Sequence, residues 1–313
     1  MAATAKNQLG MNSIDTMPSL YSRTFDQIVA KTNKVPREMA RFYRFVDTNL
    51  KDYKEGEVWD TTDTPPENRD AARIPLLTGL EGYNKTITNV RRRSGMIITR
   101  EAVEEQKTNR IAQTMKGLPK SAMRLEELLM ATPFNGGFDT ETTGDGSYVF
   151  ATDHYYEDPK FGQWSNKAAS GGAFTTDSYF AAWLNMQGRK DPKGMTDFKI
   201  PSSVMYSPTI HEAVMKVAGS TLYPQNSLNA KMPELFGAFE PILNHYKTDT
   251  ASWFVNAKED NSDKGFLFVW QNRPDYKPIS DGMNPDMILG RRLRMSMGVG
   301  VIQSRSWYGD EGN

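Results

Sequence analysis

The chain has 313 residues and a mass of 35.3 kDa, with 38 Lys and Arg against 38 Asp and Glu, 3 His and no Cys. That length buries enough surface to fold without a staple, and the missing cysteines remove disulfide frameworks, thiolate catalysis, zinc ribbons and iron–sulfur ligation. A net charge of zero is a poor footprint for a dedicated nucleic-acid binder and does nothing to keep copies apart; a mean hydropathy of −0.61 speaks against a membrane span.

No apolar stretch follows Met1, so the start does not read as a signal peptide, and the product is expected to be made and kept in the host cytoplasm. Residues 1–22 mix Ala, Thr, Asn, Ser and Gly around Pro18 and predict an extended arm. A helix is predicted next, with Phe25, Ile28 and Val29 on one face, and a second from Pro36, where Met39, Phe42, Tyr43 and Val46 recur at three and four residues. Neither buries a core of its own. Residues 51–70 carry seven acids against three bases, and beyond Pro65-Pro66 the segments Ile74–Leu77 and Tyr83–Arg93 read as extended. A long, acidic, two-stranded excursion with few apolar residues is either a hairpin that finds its partner elsewhere or a mobile surface loop.

The strongest helical signal covers 100–132. Thr99 stands at the cap, Glu101, Glu104 and Glu105 sit near the positive end of the dipole, and Val103, Ile111, Met115, Leu118, Leu125, Leu128 and Leu129 trace an apolar stripe. Gly117 and Pro119 predict a kink or two abutting helices. A Gly/Asp/Thr loop runs to Gly146, followed by Tyr148–Ala151 and Thr152-Asp153-His154. Further on, the pattern predicts a helix at 176–188, a strand at 203–207, a helix from Pro208, and strands at Ser252–Ala257 and Gly265–Gln271. In Arg291–Val301, Leu293, Met295, Met297, Val299 and Val301 alternate with Arg292, Arg294, Ser296, Gly298 and Gly300, which predicts a strand with one buried and one exposed face. The class is α+β.

Chemistry is sparse. Asp153 and His154 adjoin, but neighbours on a strand point to opposite faces and so do not share a site. His211 and His245 stand alone, without metal-type spacing. Asp139–Gly146 resembles a calcium loop only superficially, since Phe150 occupies the position of the bidentate Glu. No nucleophile elbow, P-loop or dinucleotide fingerprint is present, and no cofactor or metal is expected. Charge, however, is segregated: residues 85–124 hold ten bases against three acids, and residues 125–160 hold eight acids against one base. Arg91-Arg92-Arg93 and Arg291-Arg292-Leu293-Arg294 are the basic clusters. Complementary patches between copies fit a neutral total best, because the signs then cancel across a partner.

Taken in order, several segments carry a resemblance. They are the arm, the acidic hairpin, the interrupted helix running into Leu128-Leu-Met-Ala-Thr-Pro-Phe-Asn-Gly-Gly137, and Phe150-Ala-Thr-Asp-His154. Ile200-Pro-Ser-Ser-Val-Met-Tyr-Ser-Pro208, Trp253-Phe-Val-Asn-Ala257, and Met295-Ser-Met-Gly-Val-Gly-Val301 through Gly309 complete the series. The chain resembles tailed-phage major capsid proteins with the HK97 fold, most closely the Mu-like major head subunit group, over nearly its whole length.

The resemblance implies an N-terminal arm at 1–47, an E-loop at 48–96 lying over a neighbouring subunit, a P-domain with a spine helix at 97–170, an A-domain at 171–285 and a returning C-terminal strand at 286–313. It implies pentamers and hexamers of an icosahedral shell enclosing double-stranded DNA without sequence-specific binding, with portal and decoration proteins as further partners. No pattern marks Lys85 for cross-linking, and none is expected. Only some 47 residues precede the E-loop, so scaffolding is expected from a separate protein, or the chain is the mature form. The expected inter-subunit contacts set Asp60, Asp63 and Glu67 against Arg91, Arg92, Arg93, Arg291, Arg292 and Arg294 of adjacent copies. The alternatives are an encapsulin-type compartment, a hydrolase centred on Asp153 and His154, and a DNA-binding module.

Overall fold

The computed structural model describes residues 19–59, 80–105, 108–156, 162–191, 195–218, 239–258, 264–279 and 287–312. The chain runs through helix 19–33 (α1), a 3-10 turn at Ala40–Phe42, strands Arg44–Asp47 (β1), Asp52–Trp59 (β2), Leu80–Thr88 (β3) and Val90–Thr99 (β4), and helices Arg100–Glu104 (α2) and Thr108–Asn135 (α3). Strands His154–Tyr155 (β5) and Gln163–Trp164 (β6) precede helix Thr176–Gln187 (α4), strand Pro201–Tyr206 (β7), helix His211–Ala218 (α5) and strand Glu240–Leu243 (β8). Strands Trp253–Ala257 (β9), Phe266–Pro278 (β10), Met287–Val301 (β11) and Trp307–Asp310 (β12) complete the chain.

Two four-stranded sheets organise these elements, ordered β1-β10-β11-β4 and β12-β9-β7-β8. In the first, Phe266, Phe268 and Trp270 of β10 and Leu293, Met295 and Met297 of β11 share a core with Ile111, Met115, Leu118 and Ala122 of α3. In the second, Val204, Tyr206, Trp253 and Val255 pack with Tyr179, Ala182 and Met186 of α4 and with Val214 and Val217 of α5. α4 starts where expected because Thr175 and Ser178 form a reciprocal capping box. Strand β10 lies within the stretch 171–285, yet it pairs with β1 and β11 in the first sheet.

Three local expectations are corrected. The segment from Pro36 forms only the 3-10 turn and then β1, which adds in parallel to the edge of β10 from Arg44↔Leu267 to Asp47↔Trp270. Tertiary contacts decide this: the Glu127 carboxylate accepts the amides of Glu38 and Met39, and the buried Tyr43 hydroxyl donates to the Met130 carbonyl. α3 continues through Pro119 as one helix, and the earlier helix α2 ends at Glu104, with Glu105 at its C-cap. Met115, Leu118 and Ala122 are all buried around that proline, so packing outweighs the missing amide donor. Leu128 is 46 % exposed, because at 3.6 residues per turn it falls outside the arc shared by Met115, Leu118 and Ala122.

β11 has its alternation, but its second face is exposed only near the arginines. Ser296, Gly298 and Gly300 are buried, the two glycines under the base of the β2–β3 hairpin. A Cβ on Gly298 would stand 2.8 Å from Ile87 Cγ2, and one on Gly300 would stand 2.6 Å from Ile87 Cγ1. These glycines let the hairpin lie directly on the sheet, where Ile87 joins Leu267, Val269 and Ile302 in a third small core. The loop after α3 holds the same base: Lys85 Nζ donates to the Thr142 carbonyl at 2.9 Å, and the Tyr83 hydroxyl donates to the Tyr156 carbonyl at 3.1 Å. The near half of the hairpin is therefore supported by its own subunit, contrary to the reading that it packs only elsewhere.

At the C-terminal end of α3, Phe134 stacks on Phe266 of the first sheet at 5.0 Å and meets Phe254 and Trp307 of the second at 5.4 and 4.8 Å. Phe134→Ala is expected to destabilise the unassembled subunit by about 3–5 kcal/mol in urea unfolding, the usual cost of emptying a buried aromatic site. Gly300→Val is expected to lift the hairpin base and speed proteolytic cleavage near β2 and β3; unaltered cleavage would show that the glycine contact does not hold the hairpin.

Candidate functional site

The register between β4 and β11 builds an arginine face. Arg93 lies directly opposite Arg294, Arg91 opposite Ser296, and Arg292 opposite Gly95. Residues opposite one another in an antiparallel pair put their side chains on the same side, so Arg91, Arg93, Arg292 and Arg294 all project from one face. All four are exposed. β10 adds Lys277 opposite Arg292 and Asp275 opposite Arg294, but the Asp275 carboxylate is 3.2 Å from Lys277. Among the described residues, no carboxylate lies within ion-pair distance of the four arginines. Like charges directly opposite in a sheet are destabilising, and planar guanidinium forks are suited to bidentate carboxylate or phosphate.

The other two arginines of the expected set are placed differently. Arg92 is opposite Met295 and belongs to the other face of the sheet. Arg291 is opposite Met96 and only 8 % exposed; its guanidinium hydrogen-bonds Ser22, lies 3.6 Å from Asp26 and sits over the Phe25 ring. Arg291 thus anchors α1 within the subunit. Asp60, Asp63 and Glu67 lie outside the described residues.

His154 is 1 % exposed, and its partner is Asp145 rather than Asp153, which is exposed. Nδ1 lies 2.9 Å from Asp145 Oδ2, Nε2 lies 3.1 Å from Asn166 Oδ1, and the ring stacks on Trp164 at 4.2 Å. The orientation of the Asn166 amide follows from its other bonds: Oδ1 accepts the Ala151 amide, while Nδ2 donates to the Val149 carbonyl and to Ser304 Oγ. Both ring nitrogens therefore face side-chain oxygens. The adjoining cavity holds about 20 Å³, room for roughly one water, so the ring has no space in which to serve a substrate. It clasps the loop after α3 to the segment before β12. Sequence spacing gave no sign of this cluster, because Asp145 and Asn166 stand nine and twelve residues from His154. His211 and His245 are satisfied singly, by the Tyr206 hydroxyl at 2.9 Å and by Glu38 at 3.0 Å.

Burial acts to raise the Asp145 carboxyl, but the bond and charge of His154, aided by Thr143 and the Ser147 amide, outweigh it and hold the group below its ordinary value of 3.8. A depressed carboxyl contributes stability above its unfolded value, and that contribution is lost as pH falls through the folded one. Wild-type subunits are therefore expected to lose stability on acidification below pH 3.8, and Asp145→Asn to cost about 1–3 kcal/mol at neutral pH while flattening that limb of a denaturation-versus-pH curve.

Residues 85–309 match the family model described as phage capsid protein. No curated protein matches the chain. Among solved structures, the fold is similar to the procapsid of bacteriophage JBD30, with 12 % identity and a TM-score of 0.51 over 94 % of this chain and 75 % of that one. It is also similar to the capsid of cyanophage P-SCSP1u, with 9 % identity and a TM-score of 0.51 over 86 % of this chain and 85 % of that one. For Microbacterium phage Oxtober96 the values are 8 % and 0.50, over 88 % and 91 % of the two chains. At such identities the likeness speaks for the fold, which is HK97-like, while the family model spans most of the sequence. The chain belongs to the phage capsid protein family.

Proposed function

We propose that the chain assembles in the host cytoplasm into pentamers and hexamers of a shell that encloses double-stranded DNA. In this reading the arginine face of each subunit receives carboxylates from the hairpin of a neighbour. The observation that carries it is the set Arg91, Arg93, Arg292 and Arg294, like charges gathered on one sheet face with no carboxylate within ion-pair distance among the described residues. Such a set costs the isolated subunit and is relieved by an external anion. The acidic part of the hairpin, with Asp60, Asp63 and Glu67, is the complementary segment in the same sequence. A scaffolding protein separate from this chain, a portal and decoration proteins complete the set of partners by analogy with the family.

The chain performs this role by recognition repeated through symmetry, without chemistry at a reacting centre. Reversing Asp60 and Asp63 to Lys is expected to lower particle yield by about tenfold or more. The thermal unfolding of the unassembled subunit should stay within about 0.5 kcal/mol of wild type if these carboxylates act only between copies. Combining the reversal with Arg93→Glu and Arg294→Glu should restore part of the yield. Full particle yield from the Asp60 and Asp63 reversal alone, measured by sedimentation and electron microscopy, would remove the hairpin–arginine contact from the account.

A further inference from the structure

α3 covers the first sheet with one side and leaves the other to solvent, and that outward side has a consistent chemistry. Its two acids, Glu126 and Glu127, are both buried and turned toward the segment at 37–39. Among the described residues, the charged groups that remain exposed along the helix are all basic: Arg110, Lys120 and Arg124, with Lys116 at the flank. None of these side chains has an ion-pair partner among the described residues. Between the cations lies an apolar cleft of about 310 Å³, lined by Gly117, Ser121, Leu125 and Leu128 and rimmed by Lys120 and Arg124.

Gly117 is the informative member. A Cβ at this position would meet nothing within 4 Å, and the residue lies in ordinary helical conformation. Nothing among the described residues calls for a glycine there, although one in an exposed helix interior costs about 1 kcal/mol relative to alanine. The effect of leaving out the side chain is a notch, one turn from Ser121 and continuous with Leu125 and Leu128. From Gly117 to Leu128 the cleft runs about 16 Å, three turns of helix.

We infer that this face of α3 docks an acidic amphipathic helix of a different protein, whose apolar stripe enters the cleft and whose carboxylates meet Lys120, Arg124 and Arg110. Three observations select that occupant. The stripe is cationic without any acid, so a second copy packing the same face against it is repelled. The cleft is apolar, and a phosphodiester backbone has nothing to place in it. The notch at Gly117 admits the close approach of another backbone, as helix-on-helix docking needs. The inference goes beyond shell formation and does not depend on it, since the face belongs to the single subunit and lies across the sheet from the arginine face.

The test uses the full chain in unassembled form and a fluorescent synthetic peptide of about 20 residues, about 30 Å when helical, with Leu on one face and Glu on the other. A peptide of the same composition in permuted order and a duplex DNA of similar length are the competing probes. The amphipathic peptide is expected to bind saturably by fluorescence anisotropy, and the permuted peptide at least about tenfold more weakly. Gly117→Leu, which fills the notch and favours the helix, and the pair Lys120→Glu with Arg124→Glu should each weaken binding about tenfold or more while thermal unfolding is not lowered. Absence of saturable binding, equal binding of the permuted peptide, or indifference to Gly117→Leu overturns the inference. Displacement of the peptide by the duplex at lower concentration also overturns it, and makes the face a polyanion surface. Particle formation is scored separately: particles without peptide binding leave the shell reading standing and remove only this inference.

Discussion

Phe134 is the point on which the two sheets, the long helix and the following loop converge. Its ring lies against Phe266 of the first sheet and against Phe254 and Trp307 of the second, and Phe150 of the loop stands 6.3 Å away. Aromatic rings bring large buried areas and prefer particular mutual orientations, so one well-packed ring constrains several elements together. The position of the second sheet relative to α3 follows from this contact. The same packing brings the C-terminal strand β12 beside the 3-10 turn through Phe42 and Trp307, at 4.8 Å.

From that junction the first sheet extends as a layer with two unlike sides. α3 takes one side. The other is divided along β11: the glycine end is closed by the hairpin base through Ile87, and the arginine end stays open. Close packing at one end and like-charge crowding at the other follow from alternate residues of a single strand. This arrangement suits a protein that works by association. A surface that is left unbalanced in the subunit gains by meeting its complement in another molecule, whereas a catalytic centre would need convergent groups around an accessible cavity. His154 has the convergent groups and lacks the access, so it acts as a clasp.

Much of the architecture was legible because local pattern and final burial agreed. The alternation in 293–301, the periodicity of 176–187 and the apolar run at 253–257 each present one residue period and one core to bury it in. The reading failed where a distant partner supplied the deciding bond. The segment after Pro36 has helical spacing, but Glu127 takes its amides and β10 takes its next strand. Pro119 carries a local signal to interrupt the helix, and the buried residues around it overrule that signal. Asp145, Asn166 and Trp164 gather around His154 through a loop whose spacing matches no motif.

The sequence by itself determined the class of the molecule, the order of its main elements, the segregation of its charge and, through the ordered resemblance, its family. These are properties of composition and of short-range period, which survive without any knowledge of what packs on what. Only the tertiary structure decided which arginines stand together and which does not. Arg291 and Arg292 are adjacent in the chain, yet one anchors α1 inside the subunit and the other faces outward, because successive residues of a strand point to opposite sides and register alone assigns each side its neighbour.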